Sequence, residues 1–171
     1  ERPQWKKGDP IKLIHTSTPW RGLNVLLGSM ELIKREDISL DVYSSTKIYG
    51  SEFAKQNDEQ FQPMYDKMNV LKNVNYKGYQ PNIKMIDEMQ KTQIFAYPSI
   101  WEETSCISAI EAMAAGNMAI VTNFGALFET CTDYAHYVNY ETDIYTLAKK
   151  FKAVIEFVAD NFHEPILHER L

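Results

Sequence analysis

The sequence predicts an α/β, doubly wound domain of three layers with about six parallel strands. Short apolar runs of strand length alternate along it with stretches whose apolar residues recur at helical spacing. Such alternation implies βαβ units, and right-handed crossovers wind helices onto both faces of the sheet. The 171 residues, 44% of them hydrophobic, suffice for one domain with a core and are too few for two large ones.

Residues 11–17 (Ile-Lys-Leu-Ile-His-Thr-Ser) read as the first strand, with Pro19 and Gly22 in the turn after it. Residues 23–35 form a helix, because Leu23, Leu26, Leu27, Met30 and Ile33 share one face. Residues 40–44 are the second strand. Residues 52–71 predict one polar helix with sparse apolar positions, kinked or broken by Pro63. A short strand at 74–77 ends at Gly78, and a helix at 82–91 places Ile83, Ile86 and Met89 on one side. The fourth strand is 94–97, closed by Pro98. A helix over 105–115 is stopped by Gly116. Residues 118–122 are a fifth strand, 127–130 one helical turn, 135–138 a sixth strand, and 143–161 a long closing helix. The turn-rich residues 1–10 read as a linker, leaving 11–171 as the domain.

Composition excludes several function classes. The formal net charge is -5, with Lys and Arg scattered, so no nucleic-acid partner is expected. Any anion must be held by local donors. Cys106 and Cys131 fit no metal spacing and no disulfide framework, which favours a reducing cytoplasm. His15, His136, His163 and His168 show no ligand spacing, so no metal site is expected. No apolar run reaches the roughly 18 residues of a membrane span. G-x-G-x-x-G and Walker A loops are lacking, which argues against ordinary dinucleotide or ATP sites.

In such sheets ligands bind beyond the carboxyl ends of the strands, so the loops there are the places to search. After the fourth strand, Thr104 or Ser105 can cap a helix, leaving the N–H groups around Ser105, Cys106 and Ile107 as an anion site. Glu103 precedes that terminus and Glu111 lies about two turns in, a rise of roughly 10 Å. Two carboxylates bracketing a phosphate site match a nucleoside diphosphate sugar, with hydroxyls at both ends. A plainer reading stays open: Glu103 as a first-turn acid, and Ser108 to Glu111 as a capping box that starts the helix later. Arg21, beside Gly22 in the first loop, can clamp a diphosphate, or is a surface residue of a turn. Gly78 permits an unusual backbone angle or close ligand approach, and Tyr79 can pack on a nucleobase or cover a core edge. Gly125 and its neighbouring N–H groups can contact sugar or phosphate. Cys106 reads as a small buried residue rather than a nucleophile.

Taken in order, these motifs resemble the C-terminal, Rossmann-like domain of retaining GT-B glycosyltransferases of sequence family 4. The quoted match is Glu103 to Glu111 followed by Ala-Met-Ala-Ala-Gly116, with Ala96-Tyr-Pro-Ser99, Pro19-Trp-Arg-Gly-Leu23 and Val74-Asn-Tyr-Lys-Gly78 upstream. The resemblance implies that Glu111 binds the ribose hydroxyls, Glu103 lies by the donor sugar as the catalytic candidate, and Arg21 neutralises the diphosphate. It also implies transfer with retention and no metal or cofactor, the nucleotide sugar being a substrate. Where the family often has Gly-Arg at the end of the first strand, this chain has Ile14-His15 or His15-Thr16. Either a second cation is missing or His15 partly substitutes. The family's N-terminal acceptor-binding domain is expected as a missing partner, so the isolated chain is expected to transfer little and to be cytoplasmic, with membrane association left to the missing part. The alternatives are a non-catalytic sugar-nucleotide-binding or scaffold module and a GT-B-like sugar-nucleotide epimerase.

Overall fold

The computed structural model describes residues 5–167; residues 1–4 of the expected linker, and His168, lie outside the described residues. Six strands form one sheet in the order β3-β2-β1-β4-β5-β6, parallel throughout. They are β1 (Ile11–Thr16), β2 (Ile38–Tyr43), β3 (Val74–Tyr76), β4 (Ile94–Tyr97), β5 (Met118–Thr122) and β6 (Ala135–Val138). The chain winds outward from β1 to β3, then returns to lay β4 against the other side of β1. The crevice beyond the carboxyl ends of β1 and β4 is therefore the topological switch point, where such sheets take their ligands.

One face of the sheet carries α1 (Leu23–Leu32), α3 (Gln62–Val70) and α7 (Ile144–Asn161), whose buried residues join Leu13, Leu40 and Ile120 in one core. The other carries α4 (Asn82–Gln90), α5 (Ile107–Ala114) and α6 (Leu127–Cys131), packed on Ile14, Phe95, Tyr97 and Val121. Strands buried on both faces read as continuous apolar runs, and β4 and β5 are buried along their whole length. The α1–α7 contact is close enough for Ser29 to bridge it, donating from Oγ to the carbonyls of Val25 and Ala148.

Several boundaries differ from expectation for tertiary reasons. The first helix ends at Leu32 rather than residue 35. Arg35 reaches across to Asp37 and Asp160, which draws residues 33–37 into a loop and starts β2 two residues early, at Ile38. The single helix expected over 52–71 is instead α2 (Ser51–Asn57), a 3₁₀ turn at Asp58–Phe61 and α3. Asp58 accepts from Thr46 Oγ1 at 2.6 Å and from the Tyr65 hydroxyl at 3.1 Å, anchoring the break. Pro63 lies in the first turn of α3, where its missing N–H costs nothing, so it opens a helix instead of kinking one. The stop at Gly116 holds: the N–H groups of Gly116 and Asn117 bond the carbonyls of Met113 and Ala112 in a Schellman motif. Inside the expected linker, the Trp5 ring packs edge-on against Phe162 at 5.0 Å.

Gly22 sets how closely the first loop approaches the end of β4. Its φ is 96°, and a Cβ there would stand 2.0 Å from the Pro98 carbonyl oxygen. Gly8 has the same φ with open space around it. Gly8→Ala is therefore expected to cost about 1 kcal/mol of left-handed strain, and Gly22→Ala on the order of 3 kcal/mol. Urea unfolding of the two variants measures the difference; equal losses overturn the close approach.

Candidate functional site

The centre of the switch point is Glu103. Its side chain is 2% exposed and makes an ion pair with Arg21, Nη1 to Oε2 at 2.6 Å. Oε1 accepts from the Tyr97 hydroxyl at 2.7 Å and from Ser99 Oγ at 3.3 Å. The backbone carbonyl of Glu103 accepts from the Ala126 N–H at 2.8 Å. Gly125 presses on the same stretch, since a Cβ at its φ of 58° would stand 2.5 Å from the Glu103 nitrogen. One residue thus joins the loops after β1, β4 and β5. Burial works against the charge of Arg21, but the Tyr97 hydroxyl and the Glu103 carboxylate outweigh it and raise its pKa. Burial pushes the Tyr97 phenol far up, so it stays a neutral donor.

A cleft opens beside this cluster, with about 590 Å³ of space counted to its mouth, within the roughly 300–1,000 Å³ usual for small-molecule sites. It gathers Thr16 and Ser17 from the end of β1, Ser45 and Ile48 after β2, Tyr79 and Gln80 after β3, and Ser108 and Glu111 from α5. Met85 and Met89 of α4 supply an apolar floor. No Lys or Arg is among the described residues that line it. Glu111 has no hydrogen-bond or ion-pair partner among the described residues, so its acceptor capacity faces the cleft unspent.

The expected site residues therefore divide. Glu111 and Tyr79 line the cleft, with Tyr79 half exposed. Gly78 adjoins it at φ 66° with nothing crowding its α-carbon, which fits the unusual backbone angle expected there. Arg21 and Glu103 meet each other. Gly22 and Gly125 make room for backbone: the Pro98 carbonyl in one case, the Glu103 strand-end loop in the other.

Three expectations are corrected. Helix α5 begins at Ile107, so neither Thr104 nor Ser105 caps it, and Ser108 lies inside it rather than starting it. The N-cap is Cys106, with no side-chain hydrogen bond, which leaves the first N–H groups of α5 to a ligand or water. Glu111 is then the fifth residue of the helix, a rise of about 6 Å from its start rather than two turns. His15 cannot stand in for a cation. It is fully buried, Nδ1 donates to the Ala96 carbonyl at 3.0 Å, and burial lowers its pKa to about 4. Cys106 is buried as expected, and burial pushes its thiol up to about 12, so it is no nucleophile. Both cysteines are free. Among the described residues no group of side chains could hold a metal ion, and no helix is long and apolar enough to cross a membrane.

Sequence reasoning missed Tyr97, Ser99, Thr16 and the methionine floor. Tyr97 read as one more apolar strand residue. Its position as the last residue of β4, before Pro98, was the available signal, since strand ends at a switch point carry site residues.

The sequence profile of the family described as Glycosyl transferases group 1 matches residues 4–159. A comparison with curated proteins finds no match. Among solved structures the chain is similar to a glycosyltransferase from Rickettsia africae ESF-5, with a TM-score of 0.70 and 18% identity over 96% of this chain and 41% of that one. It is similar to the HepE protein of Anabaena in complex with UDP and glucose, with a TM-score of 0.67, 14% identity, and 91% and 40% covered. Sucrose-phosphate synthase from Thermosynechococcus elongatus gives 0.67, 17%, and 97% and 39%. The chain spans well under half the length of each of these structures.

Two predictions follow from the buried groups. Arg21→Ala leaves the Glu103 carboxylate buried without its counter-charge and is expected to cost about 3 kcal/mol. Arg21→Ala with Glu103→Gln is expected to lose clearly less than the two single changes added together, as read by a double-mutant cycle in urea. Additive losses would show the pair to be uncoupled. For His15 the folded pKa lies below the unfolded value of 6.5. The unfolded chain takes up a proton as pH falls through 6.5, and the folded chain does so only near 4. Stability therefore declines across that window by about 3 kcal/mol and levels off below it. His15→Gln is expected to flatten the decline between pH 6.5 and 4; parallel curves contradict a buried neutral imidazole.

Proposed function

This chain belongs to the glycosyl transferases group 1 family, and from that premise we propose that it is the half of a glycosyltransferase that holds a nucleoside diphosphate sugar. The observation that carries the reading is the uncommitted Glu111 carboxylate in a cleft at the switch point, over an apolar floor and beside an uncapped helix N-terminus. A carboxylate accepts from the vicinal hydroxyls of a ribose. Helix N–H groups donate to phosphate, and the helix dipole favours the anion. Tyr79, Met85 and Met89 offer apolar surface to a base.

Arg21 contributes the one strong cation at the cluster. Only its Nη1 is taken by Glu103, so its remaining N–H groups are free to meet the distal phosphate. In transfer, the bond from the anomeric carbon of the sugar to that phosphate oxygen breaks. A bond to an acceptor oxygen forms on the same face, and the acceptor's proton leaves with the diphosphate. Charge building on the leaving diphosphate is offset by Arg21 and the α5 N-terminus, without a metal or a further cofactor. Glu103 orients Arg21 in the closed network and reaches a sugar hydroxyl only when one of its own partners releases it. The acceptor binds on a separate domain, which closes the cleft from above.

Calorimetry with UDP, GDP and ADP and their sugars tests the reading. One of these is expected to bind, and Glu111→Ala is expected to weaken it about 10- to 100-fold, the loss of hydrogen bonds to a charged acceptor. Absence of binding at millimolar nucleotide, or unchanged affinity in Glu111→Ala, overturns it.

A further inference from the structure

Five buried side-chain atoms have no hydrogen-bond partner: His15 Nε2, Thr16 Oγ1, Thr18 Oγ1, Asn24 Oδ1 and Ser44 Oγ. Buried polar groups are nearly always paired, so each exception calls for an explanation. These five are not scattered. All lie at or just beyond the carboxyl ends of β1 and β2, or in the first turn of α1 behind them. Elsewhere in the described protein, buried polar side chains are bonded: Ser29 to two carbonyls, Asn117 to two, Thr122 to the Ser99 carbonyl. The unpaired set marks the edge that the cleft opens on.

Only Thr16 of the five lines the cleft. It is 8% exposed and sits between the cleft wall formed by Tyr43 and the neighbouring Ser17, whose Oγ lies 3.3 Å from the Tyr97 hydroxyl. Tyr97 in turn bonds Glu103. The Thr16 hydroxyl therefore stands at the end of the cleft nearest the Arg21–Glu103 cluster. No cation lines the cleft among the described residues, so an anion entering there meets neutral donors.

We infer that Thr16 is a donor-binding residue whose hydroxyl, buried and unpaired at the end of β1, donates to a phosphate oxygen of the bound nucleotide. The inference rests on the proposed donor site and assigns it a contact that neither glutamate nor Arg21 provides. It carries a consequence that a structural threonine would not share. An unpaired buried hydroxyl contributes nothing to folding, and replacing it by an apolar group of the same shape is neutral or stabilising.

The test compares Thr16→Val and Thr16→Ser with the unaltered chain. Without nucleotide, Thr16→Val is expected to unfold at the same urea concentration or a higher one. By calorimetry with UDP, GDP and ADP, Thr16→Val is expected to bind its preferred diphosphate about tenfold more weakly, the loss of one hydrogen bond to a charged group. Affinity for the corresponding nucleoside stays unchanged, and Thr16→Ser restores diphosphate binding. A less stable Thr16→Val shows that the hydroxyl has a partner within the protein and overturns the inference. So does equal diphosphate affinity, or an equal loss for the nucleoside. If the unaltered chain binds no nucleotide, the donor site itself fails and Thr16 with it; if it binds and Thr16→Val binds alike, only Thr16 fails.

Discussion

The switch point is organised around one buried carboxylate. Glu103 must have its oxygens satisfied, because an unpaired carboxylate in a low-dielectric interior is severely penalised. Its partners come from separate segments: Arg21 after β1, Tyr97 at the end of β4, Ser99 just beyond it, and the Ala126 N–H after β5 acting on its backbone. Each bond fixes a distance to a few tenths of an ångström. Three loops that share no sequence neighbourhood are thereby placed relative to one another. Gly22 and Gly125 serve the same end, since both let backbone approach backbone where a side chain would not fit. A buried ion pair of this kind is weak evidence for stability and better understood as fixing geometry.

Once that cluster is built, the chemistry left for a ligand is what it does not use. Glu103 and Glu111 stand eight positions apart in sequence and in opposite conditions. One is sealed and saturated; the other lies in an open cleft with its acceptors unspent. The burial of Glu103 follows from the late start of α5. With Cys106 rather than Thr104 or Ser105 at the N-cap, residues 102–106 form a loop that folds down toward Arg21 instead of a helical turn directed outward. The same late start leaves the first N–H groups of α5 uncapped by any side chain.

The layers of the fold were legible because their signals are local. Apolar runs such as those of β4 and β5 and the helical spacing in α7 are set by burial of those same residues. What was not legible depended on distant partners. The break at Asp58 needs Thr46 and Tyr65, and the end of α1 needs Asp160 to hold Arg35. The site divides along the same line. Glu111, Gly78 and Tyr79 were found from motif and turn chemistry. The pairing of Arg21 with Glu103 was not, because spacing within each loop says nothing about the distance between loops. His15 looked like a spare cation because its residue type suggests charge, whereas complete burial at the centre of the sheet makes it neutral.

The electrostatic balance explains why short-range contacts must carry an anionic ligand here. The chain has a net charge of -5, so its overall field repels a nucleoside diphosphate. Half of the nearest cation's effect is spent on Glu103, and the cleft adds the negative charge of Glu111. Attraction therefore comes from groups that act only over hydrogen-bond distances: the α5 N–H groups, the free N–H groups of Arg21 and the Thr16 hydroxyl. Such donors discriminate by position, since a phosphate displaced by an ångström or two loses them. Glu111 then works with this arrangement, because a carboxylate that repels misplaced phosphate still accepts from ribose hydroxyls placed beside it. A site of this construction selects the orientation of its ligand more strongly than it gathers ligand from solution.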